Sequence, residues 1–278
     1  MIMNNIHNTV YKFSGAGNDF VVIDGRKGDV SEFRTVERIG ELCREYKTDG
    51  LMILTDSPVK PANDVRVPAN DGPFDFTMEF YNPDGTGGMM CGNGGRCITA
   101  FADMLGLKPA AEDGTWHFLA PDGPHEAKII DRDDKKVWTV RLKMIDVDGV
   151  TPMMGGYFLN TGTRHFVKFV DDVDAMDMER DAKPLRWDPA FQPIGTNVNF
   201  VERREDGLHI RTYEKGVEGE TLACGTGITA SAIAFGRPTK LQCRRGDWLT
   251  VEFKKDGQGF KEVYLTGPAE LVKTIELC

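Results

Sequence analysis

Two short stretches of the sequence, Met90-Cys-Gly-Asn-Gly-Gly95 and Ala223-Cys-Gly-Thr-Gly227, decide the fold, because each leads directly into a helix. After the first stretch, apolar residues recur at the spacing i, i+3, i+4, i+7, and Gly106 supplies a stop signal. After the second, residues 228–235 are apolar or small nearly all round. That composition is typical of a buried helix surrounded by sheet.

The two stretches belong to an internal repeat. An aromatic residue of a predicted strand, Phe80 or Tyr213, lies 11 positions before each cysteine. Two further segments also correspond, FSGAGNDFVVID from Phe13 and LNTGTRHFVKFVDD from Leu159, and each is a glycine-rich turn that runs into an apolar strand. The cysteines are 133 positions apart and the turns 146, so the repeat contains insertions. We therefore expect two similar α/β domains with a boundary near residues 145–149.

Alternation of apolar and polar residues predicts half-buried strands around 76–80, 137–141 and 208–212.

The chain has 278 residues, of which 40% are hydrophobic and 28% charged, as in soluble globular proteins. A formal net charge of −9 argues against a nucleic-acid partner. No apolar run approaches the roughly 18 residues that cross a bilayer, and the start of the chain lacks the pattern of a signal peptide. We expect a cytoplasmic protein.

The cysteines and histidines do not have the spacing of a metal site. Six cysteines occur without a C-x-x-C pair, and five histidines occur without H-x-H or HExxH. We therefore expect no metal and reduced cysteines.

The position of each cysteine before a helix suggests chemistry. Free backbone N–H groups and the helix dipole favour an anion there, either the cysteine thiolate or a bound carboxylate. A single Cys-Gly-x-Gly is weak evidence, since cysteines are often buried and glycines often close turns. Two copies in matching settings favour a pair of thiols that act on one carbon, one removing a proton and the other returning a proton from the opposite side. That reaction inverts stereochemistry.

A cysteine protease would need a histidine base, and only His165 lies in a suitable loop. A structural, hydrogen-bonded histidine explains that residue equally well.

Several motifs, in order and separation, closely resemble those of the diaminopimelate epimerase family. They are KFSGAGNDF, YNPDG followed by MMCGNGGRC, GTNVNFVE and TYEKGVEGETLACGTG, and the resemblance runs from about residue 11 to 271. It implies an isomerase that needs no cofactor and interconverts LL- and meso-2,6-diaminopimelate in lysine and peptidoglycan precursor synthesis. The catalytic cysteines of the family correspond to Cys91 and Cys224.

The resemblance also implies a fold and an assembly. The expected class is α/β of the α+β type, with two pseudo-symmetric domains that each wrap a mixed sheet around a central helix. Domain one would comprise residues 1–146 joined by a C-terminal strand within 266–278, and domain two residues 147–265. Family members are generally homodimers, so a homodimer is expected.

Substrate-binding positions are carried over from the family one by one. The family positions match three asparagines, four residues at the helix starts and two at the distal end of the substrate: Asn18, Asn82, Asn197, Gly92, Asn93, Gly225, Thr226, Glu214 and Lys215. For each asparagine the alternative is a turn former that bonds its own loop.

The chain departs from the family pattern at three places. Gly50 follows Asp49 where many members have Gln, and Thr163-Arg164-His165 replaces Asn-Pro-His. Lys215 replaces an Arg, so a planar fork for a carboxylate becomes a point charge.

Two other functions remain open from the residues. A proline or hydroxyproline racemase shares the paired cysteines, but such proteins have CGHG where this chain has Asn93. A non-enzymatic metal or redox module would use Cys91, Cys97, Cys224 and Cys243, although their spacing does not favour it.

Overall fold

The computed structural model describes residues 9–56, 74–87 and 90–277, and it divides into two compact units. Unit 1 comprises the chain up to Leu142 together with the segment from Pro268, and unit 2 comprises Lys143–Gly267. Met89 of the first cysteine motif and Cys278 lie outside the described residues. No helix within the described ranges is long and apolar enough to cross a membrane.

The described residues of unit 1 form seven strands of its own, two α-helices and one 3-10 turn. The strands are β1 (Thr9–Ser14), β2 (Asp19–Asp24), β3 (Gly50–Thr55), β4 (Phe76–Tyr81), β5 (Thr115–Ala120), β6 (Gly123–Arg132) and β7 (Val137–Lys143). The helices are α1 (Val36–Tyr46) and α2 (Gly92–Met104), and the 3-10 turn is Ser31–Arg34.

The strands of unit 1 pair in sequence order and close on themselves. The pairs β2–β3 and β4–β5 are parallel and the other pairs whose register is resolved are antiparallel. The last strand of the chain, β16 (Gly259–Glu276), begins in unit 2, and its second half pairs with β1 from Ser14↔Glu270 to Thr9↔Glu276. On its other side β16 neighbours β7, where the Leu271 N–H donates to the carbonyl of Lys136.

Helix α2 is the buried centre of unit 1. Its residues 92–102 are all buried, and it contacts β1, β2, β3 and β6. A Cβ at Gly95 would lie 2.9 Å from the Met90 sulfur and 3.1 Å from Leu142, so glycine permits the close approach. The Thr99 hydroxyl donates to the carbonyl of Gly95, which satisfies a polar group that has no access to water.

A second apolar layer covers the outside of the same sheet. Helix α1 begins after Thr35, whose hydroxyl accepts from the Arg38 N–H, and ends at Lys47 in the left-handed conformation. It packs through Ile39 and Leu42 onto apolar residues of the first three strands.

Unit 2 contains eight strands before β16, together with helix α3, helix α4 and two irregular turns. The strands are β8 (Thr151–Met153), β9 (Gly156–Asn160), β10 (Arg164–Val170), β11 (Asn197–Arg204), β12 (Gly207–Glu214), β13 (Gly219–Thr221), β14 (Thr239–Gln242) and β15 (Trp248–Asp256). The helices are α3 (Lys183–Arg186) and α4 (Gly225–Phe235), with a π-helical turn at Met178–Ala182 and a 3-10 turn at Pro189–Phe191.

The pairing pattern of unit 2 repeats that of unit 1. The antiparallel pair β9–β10 corresponds to β1–β2, the parallel pair β10–β11 to β2–β3, and the parallel pair β12–β14 to β4–β5. The predicted fold class, two pseudo-symmetric halves with a mixed sheet around a central helix, is therefore confirmed. The strands predicted around 76–80, 137–141 and 208–212 are β4, β7 and β12.

Helix α4 is the buried centre of unit 2, as its composition predicts. It contacts β9, β10, β11, β12, β14 and β15, and it ends at Gly236 with a φ of 88°. The hydroxyls of Thr229 and Ser231 donate to the carbonyls of Gly225 and Gly227. The Thr99 hydroxyl of α2 is satisfied in the same way, by a carbonyl one turn earlier in its own helix.

Candidate active site

We use the term half-site for the cysteine that precedes a central helix together with the side chains around it. The half-site of unit 1 lies at the start of α2. Cys91 is the N-cap residue of the helix, and its Sγ accepts a hydrogen bond from the Gly94 N–H at 3.2 Å. The first N–H groups of a helix have no acceptor within it, so those of Gly92 and Asn93 can serve a ligand. The backbone N–H donor and the helix dipole both stabilise the thiolate form of a cysteine in this position.

Asn18 and Asn93, which are distant in sequence, come together at this helix start. Asn93 is 2% exposed, and its Nδ2 donates to Asn18 Oδ1 at 2.7 Å. Asn18 lies half-buried in the turn between β1 and β2, where its carbonyl accepts from the Gly15 N–H. Two of the predicted substrate-binding residues of unit 1 are therefore neighbours in the structure.

Asn82, another predicted substrate-binding residue of this unit, bonds its own turn. Its Nδ2 donates to the hydroxyl of Thr86 at 3.0 Å, and its backbone N–H donates to the carbonyl of the same residue. These contacts are those of a turn former. A binding role for Asn82 stays a prediction.

The half-site of unit 2 is built at the start of α4. Cys224 is the N-cap residue, but here no side-chain cap bond is formed, and the cysteine is 7% exposed. Its Sγ lies 3.4 Å from the hydroxyl of Thr226. The two cysteines thus hold the same position on equivalent helices and differ in the donor that reaches the sulfur.

His165 lies beneath this helix start and is completely buried. Its Nδ1 lies 3.1 Å from Asn199 Nδ2, and the same amide nitrogen donates to the carbonyl of Phe166. Because an amide nitrogen only donates, Nδ1 is the acceptor and the proton is on Nε2. Nε2 lies 3.0 Å from the Thr226 hydroxyl and 2.9 Å from that of Thr163.

Burial lowers the pKa of His165 to about 3, so the ring is neutral in the folded protein near pH 7. An unfolded chain takes up the proton near pH 6.5 and the folded chain does not, so stability is fully present above pH 6.5 and falls as the pH falls below it. We expect the free energy of unfolding, measured in urea between pH 6.5 and 5, to fall with this contribution approaching about 1.4 kcal/mol per pH unit. His165→Gln should remove this part of the slope, and an unchanged slope in that variant would contradict the assignment.

Asn197 forms hydrogen bonds to neighbouring residues through both ends of its side-chain amide. Its Oδ1 accepts from the Lys215 N–H at 2.8 Å, and its Nδ2 donates to the carbonyl of Arg164 and to the hydroxyl of Thr163. Glu214 is the last residue of β12, and Lys215 follows with an exposed side chain whose Nζ is 3.4 Å from the carbonyl of Ile194. Asn197 therefore joins the start of β10, at Arg164, to the turn after β12 that carries Lys215.

The departure at Gly50 has a steric explanation. A Cβ there would lie 2.8 Å from the carbonyl of Tyr81 and 3.0 Å from the ring of Phe80. The Phe80 ring also packs edge-on against Phe20. A glutamine at position 50 would require this aromatic pair to move.

Sequence reasoning missed two residues of these half-sites, Arg96 and Asn199. Arg96 is 0% exposed on α2 and bonds the Asn93 side chain, and Asn199 is 0% exposed on β11. A signal existed for each: an arginine stands within the predicted apolar helix, and Asn199 follows Asn197 at the period of a strand.

The remaining cysteines do not support a metal or redox module. Within residues 9–56, 74–87 and 90–277, no group of three or more His, Cys, Asp or Glu side chains could hold a metal ion. Burial raises the pKa of the Cys43 and Cys243 thiols, which disfavours the reactive thiolate. Cys97 is fully buried against Gly15, as expected for a packing residue.

The fold, with a buried helix at the centre of each unit, is shared with solved structures of low sequence identity. A phenazine biosynthesis protein of the PhzF family from Bacillus anthracis matches with a TM-score of 0.70 and 13% identity, covering 97% of this chain and 98% of that one. A hydroxyproline epimerase from Agrobacterium vitis matches with a TM-score of 0.57 and 16% identity, covering 97% and 92%. At these identities the likeness shows the fold alone.

Relatives of higher sequence identity identify the family to which the chain belongs. A diaminopimelate epimerase of Flavobacterium psychrophilum is 37% identical, with 95% of this chain and 97% of that protein covered. One of Aquifex aeolicus is 38% identical, with 92% and 93% covered. The family profile described as diaminopimelate epimerase matches residues 157–272. The chain belongs to the diaminopimelate epimerase family, whose members are isomerases.

Proposed function

We propose that this protein interconverts LL- and meso-2,6-diaminopimelate without a cofactor. The observation that carries the proposal is the equivalent placement of Cys91 and Cys224 at the N-caps of the two central helices, in a chain of this family. Asn93 after the first cysteine argues against a proline racemase, in which a histidine would follow the glycine.

In the proposed reaction one cysteine, as thiolate, takes the α-proton and becomes a thiol, and the bond electrons remain on the α-carbon. The other cysteine, as thiol, then delivers its proton to the opposite side of that carbon and becomes a thiolate. The backbone N–H groups of Gly92, Asn93, Gly225 and Thr226 would bind the α-carboxylate. Their dipoles would stabilise the charge that develops next to it.

The neutral state of His165 fits this scheme. With Nδ1 occupied by Asn199, its Nε2–H can donate to the hydroxyl of Thr226. That hydroxyl can then turn its own hydrogen toward Cys224 Sγ at 3.4 Å. His165 would therefore stabilise a thiolate through Thr226 without adding a charge to the site.

We further propose that the two units are the two domains of the enzyme, and that the protein is a cytoplasmic homodimer in lysine and peptidoglycan precursor synthesis. These statements rest on the family resemblance. The net charge of −9 supports the absence of a nucleic-acid partner.

The test is incubation of the purified protein with LL-diaminopimelate in deuterium oxide. We expect deuterium at the α-carbon together with formation of the meso isomer, and neither with proline or monoamino acids. Activity should survive dialysis against EDTA, and the protein should show no pyridoxal absorbance. No exchange into diaminopimelate, or loss on chelation that one metal restores, would refute the proposal.

Lys215 is proposed to receive the distal carboxylate of the substrate. Its loop is fixed by the bond from its N–H to Asn197, and its side chain is exposed. Loss of a hydrogen bond to a charged group costs about 1.5–3 kcal/mol, so Lys215→Ala should raise KM by roughly tenfold or more. Lys215→Arg should keep or improve kcat/KM. Arg164→Ala is the comparison: an unchanged KM for Lys215→Ala with a raised KM for Arg164→Ala would transfer the role to Arg164.

A further inference from the structure

Arg96 is a completely buried cation directly behind the start of α2. Its guanidinium donates to three backbone carbonyls and to one side chain. Nη1 reaches the carbonyl of Gly92 at 3.1 Å, Nε that of Pro268 at 3.4 Å, and Nη2 reaches both the carbonyl of Gly15 and Asn93 Oδ1 at 2.8 Å.

These bonds fix the direction of two neighbouring carboxamides. Arginine only donates hydrogen bonds, so the atom of Asn93 that faces it must be the oxygen. The other end of the Asn93 amide is then the nitrogen, which donates to Asn18 at 2.7 Å, so the Asn18 atom that it meets must be oxygen. Asn18 is left with its Nδ2 pointing away from Asn93, and within the described ranges we find no protein acceptor for that group.

The same guanidinium also holds the backbone that carries Asn18. The Gly15 carbonyl accepts a hydrogen bond from Arg96, and the Gly15 N–H donates to the backbone carbonyl of Asn18. The second of these bonds closes the turn between β1 and β2. A Cβ at Gly15 would lie 2.7 Å from the carbonyl of Asn93, so the turn and the helix start are in direct contact. Arg96 thus fixes both the position of Asn18 and the direction of its amide.

We propose that Arg96 is a positioning residue, which makes Asn18 present an N–H donor rather than a carbonyl oxygen to the substrate. The proposal rests on the proposed function, because it assigns the donor to binding of the amino-acid end of diaminopimelate. A carboxylate accepts hydrogen bonds and repels a carbonyl oxygen, so the direction of this amide decides whether Asn18 attracts or repels the substrate carboxylate.

The decisive variant is Asn93→Asp. Its carboxylate still accepts from Arg96, so the buried cation keeps its partner and the helix start keeps its structure. The second carboxylate oxygen faces Asn18, which must rotate its amide to donate, and its oxygen then points toward the substrate. We expect KM for LL-diaminopimelate to rise tenfold or more, with a smaller fall in kcat.

Asn18→Ala is the matched control for the added negative charge. In that background there is no amide to rotate, so Asn93→Asp should change KM by less than threefold. A tenfold rise that persists without Asn18 would overturn the proposal, because the cause would then be charge alone. An unchanged KM in the single variant Asn93→Asp would overturn it as well.

Substitutions of Arg96 test the donor directly. Arg96→Lys keeps a group that only donates, whereas Arg96→Gln can also offer an oxygen to Asn93. We expect a larger KM for the Gln variant than for the Lys variant among folded proteins, and equal KM values would contradict the proposal. If neither variant folds, the Asn93→Asp comparison decides.

A measurement without substrate separates this proposal from the proposed function. The side-chain amide resonances of Asn18 can be assigned by their loss in Asn18→Ala. In Asn93→Asp one of its hydrogens should become hydrogen-bonded and exchange with solvent more slowly than in the parent protein. Unchanged exchange would refute the role of Arg96 even in an active epimerase, and slowed exchange would support it even if diaminopimelate proved not to be the substrate.

Discussion

Cys91→Ser and Cys224→Ser should each lower the rate of epimerisation by at least about a thousandfold. A serine hydroxyl is a far weaker acid than a thiol, so it cannot supply the thiolate that removes the α-proton. In the variant the substrate can also no longer receive a proton from that side of the carbon. The measurement is the rate of conversion of LL- to meso-diaminopimelate by chiral chromatography.

The control is Cys43→Ala, which removes a buried thiol from the second apolar layer of unit 1, between α1 and the sheet. It should lower stability and leave the rate per folded molecule near that of the parent protein. Turnover must be scored as inversion, because a single cysteine that remains can still exchange a proton on its own side. Full inversion activity in either serine variant would exclude the two-thiol mechanism.

Gly227→Ala should lower both the stability and the activity of the protein. A Cβ there would lie 2.4 Å from Asn199 Oδ1 and 3.3 Å from the ring of His165. Alanine is favoured over glycine in a helix by about 1 kcal/mol, but overpacking in a filled core costs about 1–3 kcal/mol. Moving Asn199 also breaks its bond from the Thr212 hydroxyl. We expect net destabilisation in urea unfolding.

The expected loss of kcat/KM in Gly227→Ala is about a hundredfold, since a displacement of about 1 Å in a catalytic group has effects of that size. The matched control is Gly219→Ala in β13, where a Cβ would meet no heavy atom within 4 Å. That variant should unfold and react like the parent protein. Equal behaviour of the two alanine variants would show that Asn199 and His165 tolerate displacement.

The positions of the two central helices could be predicted from the sequence because the information is local. Glycines beside a cysteine mark the helix start, and the spacing or uniformity of the apolar residues that follow marks its buried side. The repeat could be found for the same reason, since Phe80 and Tyr213 keep a constant separation from the cysteines. They lie in β4 and β12, which hold equivalent places in the two units.

The hydrogen bonds that orient Asn18 and Asn93 could not be predicted, because they join residues that are far apart in the chain. Asn18 is 75 residues from Asn93, and Gly15 is 81 residues from Arg96. Periodicity carries no information about such pairs. The direction of an amide depends on which donor lies behind it, and that donor is known only when the turn and the helix have been brought together.

The closure of unit 1 by β16 has a consequence during synthesis on the ribosome. Thr9 at the start of β1 bonds Glu276 near the end of β16, 267 positions later. While the chain is being made, the edge of β1 that β16 will occupy therefore remains open until β16 itself has emerged. Unit 2 is contiguous from 143 to 267, so its strands are all available earlier. Unit 1 is thus begun before unit 2 but can complete its sheet only after unit 2, and its open strand edge is where association between nascent chains would begin.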